Sequence, residues 1–247
     1  MSNIIQPTKK SIVHLGKIKK KAPVIGIVIQ ARMTSKRFPG KSMELLNGKP
    51  VLEWVITRCK YVRPADKIIV AVPDTPESDP MLELADRLGV DNFCGEEDDV
   101  LNRYYKAALF HKLDVIVRVT ADCPFINPII GSQVVQLLIW RKVDYASNIY
   151  PVRTFPMGTD CEAFTVDCLD AANQIATEEG DREHVTKWMQ EEEGVRKANV
   201  TQAVDCSLDN WCVDYPEDIK RLEKLYKKMS KKNNIISIVK EEQPNEE

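Results

Sequence analysis

The first half of the chain alternates between apolar runs and amphipathic stretches. Runs rich in Val and Ile, with the length of strands buried on both faces, occupy residues 24–30, 67–74 and 114–122, and a shorter one occupies 90–94. Apolar residues recur at helical spacing over 48–62, 79–88, 98–109 and 127–140. This alternation predicts right-handed βαβ units and an α/β fold with a mostly parallel central sheet.

The pattern changes after residue 144, where the predicted elements become shorter and proline and glycine separate them. We expect strands at 144–148, 160–166 and 195–200, and helices at 167–176 and 182–189. We interpret this segment as an insertion that covers the edge of the sheet and carries substrate contacts or a dimer surface. A short strand at 212–214 and an amphipathic helix beginning at Pro216 are expected to complete the domain.

Both ends of the chain are polar and charged. Residues 1–22 include a cluster of lysines and few apolar residues, and the chain beyond about 231 is again rich in charge. Such stretches bury too little apolar surface to order themselves, so we expect a flexible basic tail at 1–22 and a flexible C-terminal tail at 231–247. The remaining 23–230 is long enough for one sizeable α/β domain.

Composition excludes several classes of protein. The net charge of -2 argues against a dedicated nucleic-acid binder, and no apolar run reaches membrane-spanning length. No signal peptide is recognisable, and the seven cysteines include no C-x-x-C pair and no metal-ligand spacing. These features predict a cytoplasmic protein that does not interact with membranes.

A basic loop directly follows the first apolar run. It carries Arg32, Lys36, Arg37 and Lys41 at the expected carboxyl edge of the sheet, where ligands bind in open α/β proteins. This position favours binding of a nucleotide's phosphates. Two alternatives are a Walker A loop, which lacks the required glycine five residues before Gly40, and a solvated basic turn.

Two carboxylates end later apolar stretches. Asp122 ends the most apolar predicted strand, and Asp214 precedes a Tyr-Pro turn. Mg²⁺ usually takes one or two carboxylates together with phosphate oxygens, so this pair is a candidate metal site. The alternatives are a turn-forming Asp before proline for Asp122 and a helix-entry Asp for Asp214.

Three further polar groups are weaker candidates. Of the acids at 96–99, Asp98 and Asp99 either begin a helix or reach the nucleotide's base or ribose. Arg182 and His184 have the chemistry to bind an anionic second substrate, and Asp160 and Glu162 to line the same pocket. The alternative for these four is ordinary surface polarity.

Five ordered blocks resemble the spore-coat polysaccharide biosynthesis cytidylyltransferase family, which is related to CMP-ulosonate and CMP-sialate synthetases. The blocks are QARMTSKRFPGK at 30–41, EDDVLNRYY at 97–105, VRVTADCP at 117–124, DREHVT at 181–186 and VDYPED at 213–218. The sequence departs from the family pattern at Lys36, at Phe38 and in the Glu-Glu-Gly before the fourth block.

The resemblance implies a Rossmann-like nucleotidyltransferase fold, CTP as co-substrate, Mg²⁺ as cofactor and a homodimer formed through the inserted segment. It also implies roles for individual residues. The triphosphate and catalytic contacts fall to Arg32, Lys41 and Asp122, the metal to Asp122 and Asp214, the nucleotide's surroundings to Gln30, Ala31, Asp98, Asp99 and Arg103, and the acceptor sugar to Arg182 and His184.

The expected reaction is transfer of CMP from CTP to an acidic sugar or a sugar phosphate, with release of pyrophosphate. Such transfer depends on alignment and charge neutralisation and needs no nucleophilic side chain. The general base stays open between Asp122 and a metal-bound water. Alternatives are the same fold with another nucleotide donor, a glycosyltransferase, or a non-catalytic nucleotide-sensing protein.

Overall fold

The computed structural model describes residues 22–231, so the two predicted tails lie outside the described residues except for Ala22 and Lys231. The elements run in the order β1 (Ile25–Gln30), β2 (Leu45–Leu46), β3 (Lys49–Pro50), α1 (Val51–Cys59), β4 (Lys67–Pro73), a 3-10 turn (Pro76–Ser78), α2 (Asp79–Arg87), β5 (Asp91–Gly95), α3 (Val100–Phe110), β6 (Val115–Thr120), α4 (Pro128–Arg141), β7 (Tyr145–Ser147), β8 (Glu162–Thr165), α5 (Val166–Ile175), α6 (Glu179–His184), α7 (Lys187–Glu191), β9 (Lys197–Asn199) and α8 (Pro216–Lys231). None of the helices within this range is both long and apolar enough to cross a membrane.

A seven-stranded sheet organises the described chain, in the order β5-β4-β1-β6-β8-β7-β9. β1 lies in its centre, pairs in parallel with both β4 and β6, and is buried along nearly its whole length. The chain first builds outward from β1 through β4 to β5, and then returns to the opposite side of β1 with β6. The predicted mostly parallel α/β fold is confirmed, and this reversal places a ligand-binding crevice at the carboxyl ends of β1 and β6.

Helices cover both faces of the sheet. One face packs against α1, α2 and α4, and the other against α3, α5 and α7, each over its own apolar cluster. A smaller cluster joins α8 to the start of α1, where Leu222 packs with Trp54, Phe125 and Val213.

The prediction of a helix beginning at residue 48 is wrong at its start. Leu45–Leu46 and Lys49–Pro50 form an antiparallel hairpin, and α1 begins only at Val51. Asn47 and Gly48 occupy the turn with positive φ angles of 49° and 80°. An Asn-Gly pair is a strong hairpin signal, because both residues tolerate the left-handed conformation that the turn requires.

The segment from 144 to 200 lies at the sheet edge, as expected, and it covers the edge of β6 by adding three strands to the sheet. β8 pairs antiparallel with β6, and β7 then pairs with both β8 and β9. The backbone N–H and C=O groups on the outer side of β6 thereby form hydrogen bonds within one continuous sheet. The predicted strand at 212–214 does not form, although Val213 is fully buried.

The predicted helix over 182–189 is broken into α6 and α7 at Val185. Val185 has φ 63° and ψ −55°, and the N–H of Thr186 donates to the carbonyl of His184 across 2.6 Å. This is a γ-turn of the rare, strained kind, on a β-branched residue that seldom adopts positive φ. The break leaves α6 as a separate short helix beside the crevice.

Candidate active site

A cleft of about 710 Å³ opens at the carboxyl ends of β1 and β6. Gln30 and Thr120, the last residues of these strands, are register partners and both line it. The remaining walls come from the loop after β1, the start of α3, the turn after β6 and α6. The lining residues are Gln30, Ala31, Arg32, Thr34, Ser35, Lys36, Arg37, Lys41, Ser42, Asp98, Val100, Arg103, Thr120, Ala121, Asp122, Glu179, Glu183 and His184.

The loop after β1 folds back on itself so that Lys41 points inward. The N–H of Gly40 donates to the carbonyl of Met33 across 2.9 Å, and the N–H of Met43 donates to the carbonyl of Gly40 across 2.8 Å. Gly40 has φ 76°, a conformation available to glycine without a steric penalty. The loop thus turns sharply just before Lys41 and presents several cations to the cleft.

The ammonium of Lys41 joins the two carboxylates predicted to hold a metal. Its Nζ lies 2.6 Å from Oδ2 of Asp122 and 3.2 Å from Oδ1 of Asp214. It also donates to the carbonyl of Val213 across 2.9 Å. The two carboxylates therefore converge on one cation, which is the proximity that a shared metal site requires.

The segment before α8 brings Asp214 to this point. The N–H of Val213 donates to the carbonyl of Asp122 across 2.9 Å. Oδ2 of Asp218 then accepts the N–H groups of Asp214 and Tyr215, each across 2.9 Å. Asp218 was missed as a positioning residue, although an acid shortly after a helix-entry Asp is a recognisable capping signal.

Mutual attraction shifts the protonation equilibria of this cluster. Burial alone lowers the pKa of Lys41, but the charges and hydrogen bonds of Asp122 and Asp214 outweigh it and hold the pKa above its usual value. Burial likewise raises the pKa of Asp122, and the nearby Lys41 ammonium reverses this and holds the pKa below its usual value. Lys41 is therefore protonated and Asp122 ionised at neutral pH.

Two arginines of the loop lie at the mouth of the cleft. Nη2 of Arg37 lies 2.7 Å from Oδ1 of Asp214, and its guanidinium lies 5.3 Å from the centre of the Tyr215 ring. Nη2 of Arg32 lies 3.6 Å from Oε1 of Glu183 on α6, and both side chains are nearly half exposed. Exposed pairs of this kind contribute little stability, so Arg32 can turn to an anionic ligand at small cost.

Arg103 on α3 supports the floor of the cleft. It is 1% exposed, and its Nη1 donates to the carbonyls of Glu96 and Glu97. Burial lowers the pKa of Arg103. Its Nε has no hydrogen-bond partner among the described residues, so one donor remains unsatisfied at a side chain that borders the cleft.

Asp98 lines the cleft, but Asp99 is engaged elsewhere. Oδ1 of Asp99 accepts the N–H of Asn102 across 2.9 Å at the start of α3. Arg182 also donates two hydrogen bonds to Asp99, from Nε to Oδ1 at 2.9 Å and from Nη2 to Oδ2 at 2.5 Å. Arg182 further donates to Oδ1 of Asn173 across 2.9 Å, so it ties α3, α5 and α6 together.

The candidate acceptor residues are divided by the fold. His184 is exposed and lines the cleft beside Glu183. Asp160 accepts two hydrogen bonds from Arg153, at 2.6 and 2.8 Å, and is not part of the lining. Glu162 is 1% exposed within β8 and forms an ion pair with Arg118, so the sheet interior holds it away from the cleft surface.

The cleft offers few side chains that could together hold a metal ion. Among residues 22–231 there is no group of three or more His, Cys, Asp or Glu side chains arranged to hold a metal ion. Asp122 and Asp214 share one cation, the Lys41 ammonium. Two carboxylates are sufficient only for a metal that keeps water and phosphate oxygens in its coordination shell.

The chain is similar in sequence to proteins of known family. The chain is 27% identical over 217 residues to the spore coat polysaccharide biosynthesis protein SpsF of Bacillus subtilis, covering 84% of this chain and 88% of that protein. It is 33% identical over 109 residues to 3-deoxy-manno-octulosonate cytidylyltransferase of Saccharophagus degradans, covering 44% of this chain and 42% of that protein.

Among solved structures, a cytidylyltransferase from Leptospira borgpetersenii superposes with a TM-score of 0.79 at 28% identity, over 87% of this chain and 97% of that chain. The family model described as cytidylyltransferase matches residues 26–241, which include the loop after β1, both carboxylates and α6. By this match, which extends over most of its length, the chain belongs to the cytidylyltransferase family.

Proposed function

We propose that this cytidylyltransferase transfers CMP from CTP to an acidic sugar or a sugar phosphate and releases pyrophosphate. The observation that carries the proposal is the convergence of Asp122 and Asp214 on the Lys41 ammonium, beside a loop that presents further cations. The names of two relatives, one in spore-coat polysaccharide synthesis and one acting on a keto-deoxy sugar acid, support a sugar acceptor.

The cations of the loop suit the triphosphate. Arg32, Lys36 and Arg37 line the cleft together with Lys41. A nucleoside triphosphate carries several negative charges, and arginine binds phosphate oxygens through paired donors. We infer that Arg32 and Lys41 bind the triphosphate, and that Arg32 exchanges its exposed Glu183 partner for phosphate when the nucleotide arrives.

The residues also fit a magnesium ion. Lys41 occupies the position of a shared cation between two carboxylates, so both can face a single positive charge. A bound Mg²⁺ would supply further neutralisation of the charge that develops on the phosphate oxygens. Asp122 and Asp214 would hold it, and Lys41 would then be free to turn toward the leaving pyrophosphate.

The chain's own residues account for the remaining requirements of the transfer. An oxygen of the acceptor attacks the α-phosphorus, and the bond from that phosphorus to the bridging oxygen of pyrophosphate breaks. Where the attacking oxygen is a hydroxyl, its proton passes to the ionised Asp122 or to water. The cationic loop orients the triphosphate and stabilises the departing charge. His184, which lines the same cleft from α6, is the side chain that we propose contacts the acceptor.

Arg182, Asp99, Asp160 and Glu162 enter the proposal differently. Each is held by ion pairs within the protein. We propose that Arg182 and Asp99 fix α6 against α3 and so place His184, without touching the nucleotide or the acceptor themselves. Asp160 and Glu162 are proposed to maintain the sheet and loops beside the cleft.

We further propose a homodimer formed through the segment after β6. Four exposed apolar side chains lie on two loops that hydrogen bonds join, Cys206 N–H to Thr154 carbonyl at 2.8 Å and Met157 N–H to Asp209 carbonyl at 2.9 Å. The four are Val152, Met157, Val204 and Leu208, of which Leu208 is fully exposed. Exposed apolar side chains on adjoining loops support an association surface. Light scattering of wild type and Leu208→Asp tests the proposal.

A cytoplasmic location is also proposed. All seven cysteines are free thiols, including Cys123 and Cys212, whose sulfur atoms lie only 3.9 Å apart. An odd number of cysteines without a disulfide framework in the sequence is typical of a protein from a reducing compartment.

The test of the proposed reaction is release of pyrophosphate. The full chain is incubated with each of the four nucleoside triphosphates and Mg²⁺, against a panel of acidic sugars and sugar phosphates. Release with CTP and one acceptor supports the proposal and identifies the substrate. Binding of CTP without release with any acceptor favours a nucleotide sensor, and preference for another triphosphate contradicts the assignment of the donor.

A further inference from the structure

A buried polar network lies beneath the cleft, and neither of its two charged members lines the cleft. Arg118 on β6 and Glu162 on β8 are register partners and form an ion pair in which the side chains are 14% and 2% exposed. Oε1 of Glu162 also accepts hydrogen bonds from the hydroxyl of Tyr145 at 2.6 Å and from Nε2 of Gln190 at 3.0 Å. An ion pair in this position carries a large desolvation cost, which a well-packed apolar pair would avoid.

The network reaches the cleft through one side chain. Nε of Arg118 donates to Oε1 of Gln30 across 3.1 Å, and Gln30 lines the cleft at the end of β1. Arginine has donors and no acceptor, so it can hold only the oxygen of the Gln30 amide. The amide nitrogen must then face away from Arg118.

That nitrogen is free to act on a ligand. Among residues 22–231 no hydrogen bond engages Nε2 of Gln30. An isolated glutamine offers either a donor or an acceptor, depending on how its amide is turned. Here the buried Arg118 fixes the orientation of the amide, so Gln30 presents only N–H donors to the cleft.

We propose that Arg118 and Glu162 are positioning residues that hold Gln30 as a hydrogen-bond donor to an acceptor atom of a substrate. The shared chemistry is an unprotonated oxygen or ring nitrogen, which a pyrimidine base and the carboxylate of an acidic sugar both offer. The inference rests on the proposed function and adds a selection rule to it: the cleft disfavours ligands that present a donor without an acceptor, such as a ring N–H, at this point. This role gives a reason for the desolvation cost of the buried Arg118–Glu162 pair, since the pair fixes the direction of the Gln30 N–H donors.

The first test replaces the amide of Gln30 in the full-length chain. Gln30→Glu keeps the shape and the bond to Arg118 but removes both donors, and Gln30→Met removes the donors without adding a charge. We expect both variants to raise the KM of one substrate about tenfold, the effect of losing one buried hydrogen bond, with kcat changed far less. A rise for CTP identifies the base as the partner, and a rise for the sugar identifies the acceptor. Unchanged KM values for both substrates overturn the inference.

The second test separates positioning from simple structural support. Glu162→Gln weakens the hold on Arg118, and Tyr145→Phe is the milder change if that variant folds poorly. We expect either change to raise the same KM severalfold in wild type and to leave it unaltered in the Gln30→Met background, while the Tm falls equally in both. A residue that only supports the fold would shift KM equally in both backgrounds, and that result overturns the positioning role.

Failure of the proposed function gives a different result. If wild type releases no pyrophosphate with any substrate pair, the reaction assignment fails before Gln30 is tested. Calorimetric titration of wild type and Gln30→Met with CTP alone then still tests, through the affinity for CTP, whether Gln30 donates to the base. If wild type is active and both Gln30 variants match it, only this inference is lost.

Discussion

Val213 donates its backbone N–H to the carbonyl oxygen of Asp122 across 2.9 Å, and this bond places the two metal-binding candidates side by side. Asp122 follows one strand of the sheet directly, whereas Asp214 belongs to an irregular segment that leads into α8. The buried Val213 side chain packs in the cluster beneath α8, so this helix helps to assemble the candidate site.

Asp122→Asn is expected to abolish nearly all turnover and leave the fold intact. The amide still accepts a hydrogen bond from Lys41 but supplies no charge for a metal, so kcat should fall by about 10²–10³-fold. Pyrophosphate release measures the loss, and circular dichroism verifies the fold. A variant that retains wild-type activity would remove Asp122 from the metal site.

The Lys41–Asp122 pair makes stability depend on pH. The folded pKa of Asp122 lies below its unfolded value, so its contribution is complete above about 3.9 and is lost as the pH falls through the folded value. The folded pKa of Lys41 is raised, so its contribution is present below about 10.4 and disappears as the pH rises through the folded value.

We therefore expect urea unfolding of wild type and Asp122→Asn to differ by a constant free energy across neutral pH. The difference should shrink on acidification below about pH 4, where the unfolded carboxyl becomes protonated. A difference that is independent of pH down to about pH 2 would contradict the ion pair.

Gly158→Ala is expected to damage both stability and activity. A Cβ on Gly158 would lie 2.7 Å from the carbonyl carbon of Trp211 and 2.8 Å from the nitrogen of Cys212, and these backbone atoms have little freedom to move. Displacing them shifts the segment that carries Asp214, so we expect a loss of about 2 kcal/mol or more, on the order of other overpacked sites, together with reduced kcat.

Gly89→Ala is the matched control. Gly89 also has a positive φ, of 64°, but no atom lies within 4 Å of the point that a Cβ would occupy there. This substitution should cost about 1 kcal/mol through backbone strain alone and leave kcat unchanged. Equal kcat values for the two variants would mean that Gly158 does not affect the position of Asp214.

Val185 offers a measurement of backbone strain beside the cleft. Val185→Ala and Val185→Gly both remove the buried side chain, but only glycine adopts the positive φ of 63° without penalty. We expect the glycine variant to be more stable than the alanine variant by about 1 kcal/mol, the reverse of the usual order. Denaturant unfolding of the pair gives the comparison, and the usual order would mean that the γ-turn is not strained.

Arg182→Lys tests whether Arg182 holds α6 or binds the acceptor. A single ammonium is unable to reproduce the paired bonds to Asp99 and the bond to Asn173, so stability should fall by about 2 kcal/mol. The KM of the acceptor sugar should stay close to that of wild type. A large increase in that KM without loss of stability would instead make Arg182 a direct acceptor ligand.

Local patterns in the sequence determined the core strands and the basic loop after β1. The apolar run of β1 and the cations after it are contiguous, so both the strand and the position of Arg32 and Lys41 followed from the sequence. The Asn-Gly turn before α1 is equally local, because this pair by itself favours a hairpin. Short-range signals of this kind depend only on backbone preferences and on apolar periodicity.

Tertiary structure alone decided which charged residues line the cleft and which pair with each other. Asp99 and Arg182 are both plausible ligands by residue type, and they bind one another because α3 and α6 pack together. Glu162 pairs with Arg118 because β8 lies beside β6, which the sequence did not indicate. The sequence determined the charges themselves, but their partners depend on the strand order, since ion pairs form between residues that only the fold makes neighbours.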